Sequence, residues 1–328
     1  MKNMKDDILS ELLCSEGYVS GQALCEKYGV SRTAIWKVIN ALKEEGYGIS
    51  SVNNRGYKIT KLPDKLKEFV VKSMLTTERF GRKLDVLDEV DSTNNYCKKM
   101  AEEGAVEGYT VATMKQVAGR GRRGRVWETP DDTNIAFSLL LRPELVPNDA
   151  SMITLLAALS VVSAVEELTG KTAQIKWPND VIIGGRKVCG ILTELSLELS
   201  AINYVVVGIG INVTNETMPE DIKDHASSIL METGVRVDKS ELLGRILIHF
   251  EKYYDRFLVD KDLSGFKEMY ENHLVNMNKT VRIIEGGMER TGVALGISER
   301  GALVVKFDTG VEQITGGEVS VRGIYGYV

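Results

Sequence analysis

The run Gly119-Arg120-Gly121-Arg122-Arg123-Gly124-Arg125-Val126-Trp127 sets four arginines among three glycines and closes on an indole. Glycine lets backbone amides approach a ligand and arginine donates in a planar fork, so the run has the makings of an anion clamp. A solvated basic loop or a nucleic-acid patch has the same composition, and the run alone does not separate the three. Further on, Lys176-Trp177-Pro178-Asn179-Asp180 sets a cation, an indole, an amide and a carboxylate in one turn, with Pro178 biasing Trp177 toward extended backbone. A purely structural turn has little use for so many costly groups in succession. Asp91-Ser92-Thr93-Asn94 places two hydroxyls and an amide where a strand meets a helix, fit either to cap that helix or to grip a polar ligand. Lys187, just past a Gly184-Gly185 turn, reads as an inward-facing cation or as a solvated hairpin residue. In Val205 to Asn212, Gly208 and Gly210 fall on one face of a buried strand, where missing side chains mark close approach by a ligand. No helix opens after them at dinucleotide-fingerprint spacing.

These residues need a scaffold, and the chain is long enough for two or three domains at 328 residues. Its apolar (43%) and charged (27%) fractions are those of soluble domains, and the longest apolar run, Met152 to Val165, reads as too short to span a membrane. The N-terminus lacks an apolar core and a cleavage site, so a cytoplasmic location is expected. Cys14, Cys25, Cys97 and Cys189 have no paired spacing and the three histidines fall in no ligand motif, which argues against disulfides and a zinc site. A net charge of -5 excludes a chain that is basic all over, so nucleic-acid binding must be confined to one module.

That module is legible at the start. Ile8, Leu9, Leu12 and Leu13 have helical spacing, a second helix is expected from Ser20 to Lys27, and Ser31 caps a third carrying Ile35, Val38, Ile39 and Leu42 on one face. The pattern is a helix-turn-helix, and Asn53-Asn54 joins two strand-like runs into a wing. Residues 1–62 hold nine Lys or Arg against seven Asp or Glu, in a protein that is acidic as a whole. Arg32, Thr33, Trp36, Lys37, Asn40 and Arg55 are the candidate DNA contacts, although winged helices also dock proteins. Leu62-Pro63-Asp64 ends the wing. Strands then alternate with helices in a mixed sheet, because a two-glycine turn demands antiparallel pairing. A long amphipathic helix covers Lys239 to Val259, and five short strands with glycine turns after Asn278 fit a small barrel.

The Gly119–Gly124 and Lys176–Asp180 runs together resemble the bifunctional biotin protein ligases that double as biotin-operon repressors, and the resemblance extends over essentially the whole chain. Lipoate ligases share the central fold but lack this pairing of motifs. The resemblance implies an α+β multidomain protein: a winged helix-turn-helix (1–62), a central class II synthetase-like mixed sheet with helices (63–277) and an SH3-like small β-barrel (278–328). It implies that Ser92, Thr93, Gln116, Gly119, Arg120, Arg122 and Lys187 surround biotin, with Gly190, Gly208 and Gly210 leaving room for its rings and chain. Arg120 and Arg122 would hold the activated phosphate, with Trp127, Asn179 and Asn212 about the nucleotide. Arg122, Lys187 and Asp180 form the implied catalytic set, Asp180 also serving Mg²⁺-ATP chemistry, and Glu216 to Gly234 would order over adenosine. The implied substrates are biotin and ATP with Mg²⁺. The implied partners are a biotin carboxyl carrier protein, operator DNA and, with adenylate bound, a second copy of the chain; no membrane is involved. Two alternatives are a ligand-sensing transcription factor without turnover and a ligase whose winged helix does not repress.

Overall fold

The computed structural model describes residues 4–61, 65–124, 126–127, 132–199, 201–285, 288–315 and 320–323. Leu62-Pro63-Asp64, Arg125 and the Gly286-Gly287 and Gly316-Gly317 turns lie outside the described residues.

Three helices, α1 (Met4–Leu13), α2 (Gly21–Tyr28) and α3 (Arg32–Glu44), pack Ile8, Leu12, Leu24, Ile35, Ile39 and Leu42 into one small core. Ser20 and Ser31 cap α2 and α3, accepting from the amides of Ala23 (3.4 Å) and Ala34 (3.2 Å). Strands β1 (Gly48–Val52) and β2 (Gly56–Lys61) form the wing, turned by Asn54 at φ +60°. Gly56 has φ +107°, and a Cβ there would overlap the Val19 carbonyl, so only glycine lets β2 pass the segment that leads into α2.

A short helix absent from the sequence reading, α4 (Glu68–Met74), follows. It spans seven residues and has no side-chain cap, so it leaves no periodic or capping signal. Val70 packs into the winged-helix core while the adjacent Val71 packs into the central core, so this helix belongs to both.

The central sheet runs β3-β4-β5-β9-β8-β7-β6. Its strands are β3 (Leu84–Leu87), β4 (Thr110–Thr113), β5 (Asn134–Leu141), β6 (Gln174–Lys176), β7 (Asp180–Ile183), β8 (Arg186–Glu198) and β9 (Ala201–Asn212). Only β3 and β4 pair in parallel, so the sheet is mixed, as the glycine turn between β7 and β8 requires. On one face lie α6 (Ser151–Thr169) and α8 (Lys239–Asp260), packed on Val205, Val207, Ile209 and Ile211; the other face carries α5 (Thr93–Glu102), packed on Val111, Leu140 and Val206. Contrary to the sequence expectation, α6 is long and apolar enough to cross a membrane. Its length and apolar character come instead from being the central core helix, with twelve of its nineteen residues buried.

Strand β4 stops at Thr113, whose Oγ1 accepts the Lys115 amide and turns the chain. Within the expected loop from Glu216 to Gly234, α7 (Ile229–Thr233) forms under a Ser228 cap. After α9 (Lys267–His273), the last five strands are β10 (Thr280–Glu285), β11 (Met288–Ile297), β12 (Leu303–Phe307), β13 (Gly310–Ile314) and β14 (Ser320–Gly323). They make an antiparallel sheet in the order β13-β12-β11-β10-β14, the expected small C-terminal β domain, and its core is continuous with the central one. Two bonds tie it to the Trp177–Asp180 turn side of the central domain. The buried Trp177 indole donates to the Gly301 carbonyl at 2.9 Å, and Arg300 pairs with Asp149 at 2.5 Å. Trp177→Phe keeps most of the packing but leaves that carbonyl without its donor; chemical denaturation is expected to show a loss of about 1–3 kcal/mol.

Candidate active site

Across the three middle strands most side chains on the α5 face are missing or small, Leu192 being the large one. Gly190 of β8 pairs with Gly210 of β9, which pairs with Ala136 of β5; one step along, Leu192 pairs with Gly208 and Gly208 with Ser138. The result is a depression in the sheet that opens as a small cavity.

Its walls come from four segments. At the start of α5, Ser92 and Thr93 are buried, and the Thr93 amide donates to Gln116 Oε1 at 2.8 Å, so Gln116 serves as the cap that Ser92 does not provide. The glycine-arginine run forms the roof. The Trp127 amide bonds to the Gly119 carbonyl at 3.0 Å, and a short 3-10 turn spans Arg122–Gly124. Closure of this loop lays the Trp127 indole on the floor: a Cβ added to Gly210 would lie 2.5 Å from the ring, and one on Gly190 3.1 Å. The buried Trp127 Nε1 lies over Gly210 and has no hydrogen-bond partner among the described residues.

Three cations converge here. Arg120 bonds to Asn95 and lies 3.8 Å from Glu194; Arg122 donates to Asn179 Oδ1 at 2.9 Å. Lys187 pairs with Asp180 at 2.7 Å and sits 5.6 Å from the centre of the Trp127 ring. Asn179 also donates to Asp180 at 3.2 Å, so one turn orients both a clamp arginine and the lysine. Backbone bonds from Lys187 to His225 and Ser227 hold the segment before α7 against β8.

Of the residues singled out from sequence, Ser92, Thr93, Gln116, Arg120, Arg122 and Trp127 line this one cavity, with Asn179, Lys187, Gly190, Gly208 and Gly210. Gly119 lies behind the roof, where a Cβ would overlap the Trp127 carbonyl. Asp180 reaches the site through Lys187. Asn212 does not line the cavity; it is buried and donates to the Ser227 carbonyl at 2.9 Å. Gly208 makes room chiefly for the Asn94 amide, which a Cβ there would overlap. Sequence reasoning counted the Asn94 amide among groups fit to grip a ligand without placing it in the implied biotin set, and it missed Ser138 and Glu194, which hold Asn94. The signal for Ser138 was a lone hydroxyl in the wholly buried strand Asn134–Leu141.

Electrostatics separates binding from covalent chemistry. Burial opposes ionisation of Glu194, but hydrogen bonds from Lys98 and Asn94 and the nearby charges outweigh it and hold the carboxyl below its usual range. Burial raises the Cys189 thiol, and likewise Cys97, so neither is available as a thiolate. Among the described residues no group of three or more acidic, histidine or cysteine side chains is placed to hold a metal. The site can therefore bind anions, orient them and offset their charge. A larger groove adjoins it, shares Arg122 and Asn179, and runs to Arg300 and Gln313 of the C-terminal domain.

On the winged helix, Arg32, Thr33, Lys37 and Arg55 are exposed, Asn40 is half-buried, and Trp36 is 57% exposed instead of packed against a neighbouring helix. Arg32 bonds to Gln22 at 3.0 Å, and Arg55 lies over the Tyr18 ring.

Comparison with known proteins finds three family models on the chain. Residues 86–212 match the biotin/lipoate A/B protein ligase family, 5–58 an HTH domain, and 277–322 the biotin protein ligase C-terminal domain. The bifunctional ligase/repressor BirA of Bacillus subtilis is 35% identical over 317 residues, 95% of this chain and 97% of the relative. That of Escherichia coli is 30% identical over 97% of this chain and 99% of its own. Among solved structures, the biotin protein ligase of Aquifex aeolicus in complex with biotin and ATP superposes with a TM-score of 0.65 at 33% identity, covering 74% of this chain and 99% of that one. With the winged helix, the mixed-sheet pocket and the C-terminal sheet all accounted for end to end, the chain belongs to the family of bifunctional biotin ligase/repressors.

Proposed function

We propose that the central pocket joins biotin to ATP, giving biotinyl-5′-AMP and pyrophosphate, and passes the biotinyl group to a lysine of a biotin carboxyl carrier protein. Residues 63–277 and 278–328 form the ligase, and 1–62 bind operator DNA when the adenylate accumulates. One observation carries the reading: Arg120, Arg122 and Lys187 converge on one cavity whose glycine floor is covered by the Trp127 indole, a donor without a partner among the described residues.

In the first step a carboxylate oxygen attacks the α-phosphorus, the P–O bond to pyrophosphate breaks, and pyrophosphate leaves with the electron pair. Two anions must meet, and the work of the site is to hold them in line while the three cations offset their repulsion. Mg²⁺ arrives with the triphosphate as Mg-ATP, since magnesium is commonly held by one or two carboxylates plus phosphate oxygens. Asp180 is the carboxylate within reach of that chemistry, but its Oδ1 already accepts from Lys187, so it acts first by fixing the lysine's position. In the second step a lysine amine attacks the acyl carbon of the anhydride, the C–O bond to AMP breaks, and the amine loses its proton. The adjoining groove beside Arg122 gives the acceptor a way in. Arg122, anchored on Asn179, closes over the phosphate until then.

Repression follows from ordering. A glycine-rich loop loses much entropy when it closes, so bound adenylate stabilises a surface that the empty protein holds poorly, and that surface favours a homodimer. Two winged helices then make enough phosphate contacts for a useful affinity.

Mixing the protein with biotin and Mg-ATP is expected to release pyrophosphate, and Lys187→Ala to slow that release about 100-fold, the ~3 kcal/mol of one lost oxyanion-type donor. Biotin-independent ATP turnover, or none, contradicts the reading. Arg122→Gly is expected to shorten retention of the adenylate at least about tenfold, seen as biotin appearing on bystander lysines. Arg32→Ala is expected to weaken adenylate-dependent operator binding and to lower its salt slope by about 1 if the guanidinium meets a phosphate. Operator affinity indifferent to ligand removes the repressor half of the proposal.

A further inference from the structure

Among the described residues, the exposed aromatic side chains are Tyr18 and Trp36, both on the winged helix. Tyr18 is accounted for within the fold, since its hydroxyl lies 3.1 Å from Ser50 Oγ on β1 and Arg55 of the wing turn lies over its ring. Trp36 is 57% exposed, in a chain that buries Trp177 to 3%. Tryptophan is highly buried on average, and an indole left in water forgoes its large apolar contribution until a partner covers it.

Its place on α3 says which partner. Arg32, Thr33, Trp36, Lys37 and Asn40 share one face of the helix, turned away from the buried Ile35, Ile39 and Leu42. Trp36 stands one turn in, four residues after Arg32 and four before Asn40. Arg32 is already held, its Nη2 donating to Gln22 Oε1 at 3.0 Å. The acidic Glu44 and Glu45 fall at the far end of the helix, where Lys5 pairs with Glu45. The indole therefore lies in a basic half-helix beside a wing arginine, a face whose charge complements a polyanion. The match of residues 5–58 to an HTH domain makes that polyanion duplex DNA.

We propose that Trp36 is a specificity-determining residue of operator binding, its ring packing on the C5-methyl group of a thymine in the major groove. The inference rests on the repressor reading above and names the base that this face selects. Base edges in the major groove present hydrogen-bonding atoms everywhere but at that methyl. An indole laid against N7, O6 or N4 strips their water and returns a single N–H donor, whereas against the methyl it joins two apolar surfaces. Cytosine offers an amino donor and no methyl, so the same ring discriminates against it.

The test begins with the full chain loaded with biotin and Mg-ATP, used to select tight-binding duplexes from a random library. Thymines of the selected duplex are then replaced one at a time by uracil, which pairs identically and lacks only the methyl, and affinity is read by fluorescence anisotropy at one fixed salt concentration. Wild type is expected to lose about fivefold in affinity when uracil replaces the contacted thymine of a half-site. Trp36→Ala is expected to bind the thymine and uracil duplexes within about twofold of each other, while Trp36→Phe, which keeps a ring, retains the preference. Trp36→Gln, which reads a base edge by hydrogen bonds, is expected to lose the preference as well and serves if the alanine variant binds too weakly to rank. A wild type indifferent to every uracil replacement, or alanine and glutamine variants with the full wild-type preference, overturns the inference alone. So does loss of the adenylate-loaded dimer in Trp36→Ala by sedimentation velocity, which marks this face as an interface between copies of the chain. Failure of the loaded wild type to select any duplex overturns the repressor reading and this inference with it.

Discussion

The bare row across the middle of the central sheet is the constraint on which the rest of the site depends. Elsewhere on the α5 face, Val206, Leu140 and Tyr204 fill the space beneath the helix. Where Gly190, Gly210 and Ala136 stand in register there is nothing to fill it, and the Trp127 indole comes down onto the exposed backbone. Glycine within a strand costs roughly 0.5–1 kcal/mol relative to alanine. The long β8–β9 ladder and a solid apolar core on the opposite face let the protein carry that cost at the place where the Trp127 indole lies against main chain.

Charge is arranged around that row with economy. Each cation at the site has a polar keeper: Asn95 and Glu194 for Arg120, Asn179 for Arg122, Asp180 for Lys187. Keepers of this kind lower the cost of ordering long side chains when an anion arrives, because the donors already point inward. They also link distant parts of the fold. Asn179 and Asp180 belong to the same turn as Trp177, which is bonded to the C-terminal sheet, and Lys187 holds the segment before α7. One turn therefore bonds to the roof loop, the anion site and the C-terminal domain.

Much of this was legible in the sequence, for reasons that differ from residue to residue. Local devices read well: Ser31 followed by a 3.6-residue apolar period announces its helix, and Gly184-Gly185 announces the antiparallel hairpin that places Lys187. The costly run Lys176 to Asp180 read well only in part, since Asn179 and Asp180 serve the site while the Trp177 indole ties the turn to the C-terminal sheet. What escaped depends on pairing between remote strands. That Gly190 stands opposite Gly210, or Ser138 opposite Gly208, is a matter of register that no single strand reveals. Asn212 sits in a glycine-bearing strand and was expected beside the nucleotide, yet its amide is taken up by the Ser227 carbonyl. Short α4 escaped because its stability comes from two cores at once and not from its own seven residues.

The central claim is that the closed glycine-arginine roof holds an adenylate made in the pocket below it. The direct measurement is to incubate the protein with biotin and Mg-ATP without carrier, pass it through a desalting column and identify by mass spectrometry what remains bound. The account predicts about one biotinyl-5′-AMP per chain, discharged on adding a carrier domain. Protein that emerges with no adenylate, or with adenylate that a carrier lysine cannot discharge, contradicts it.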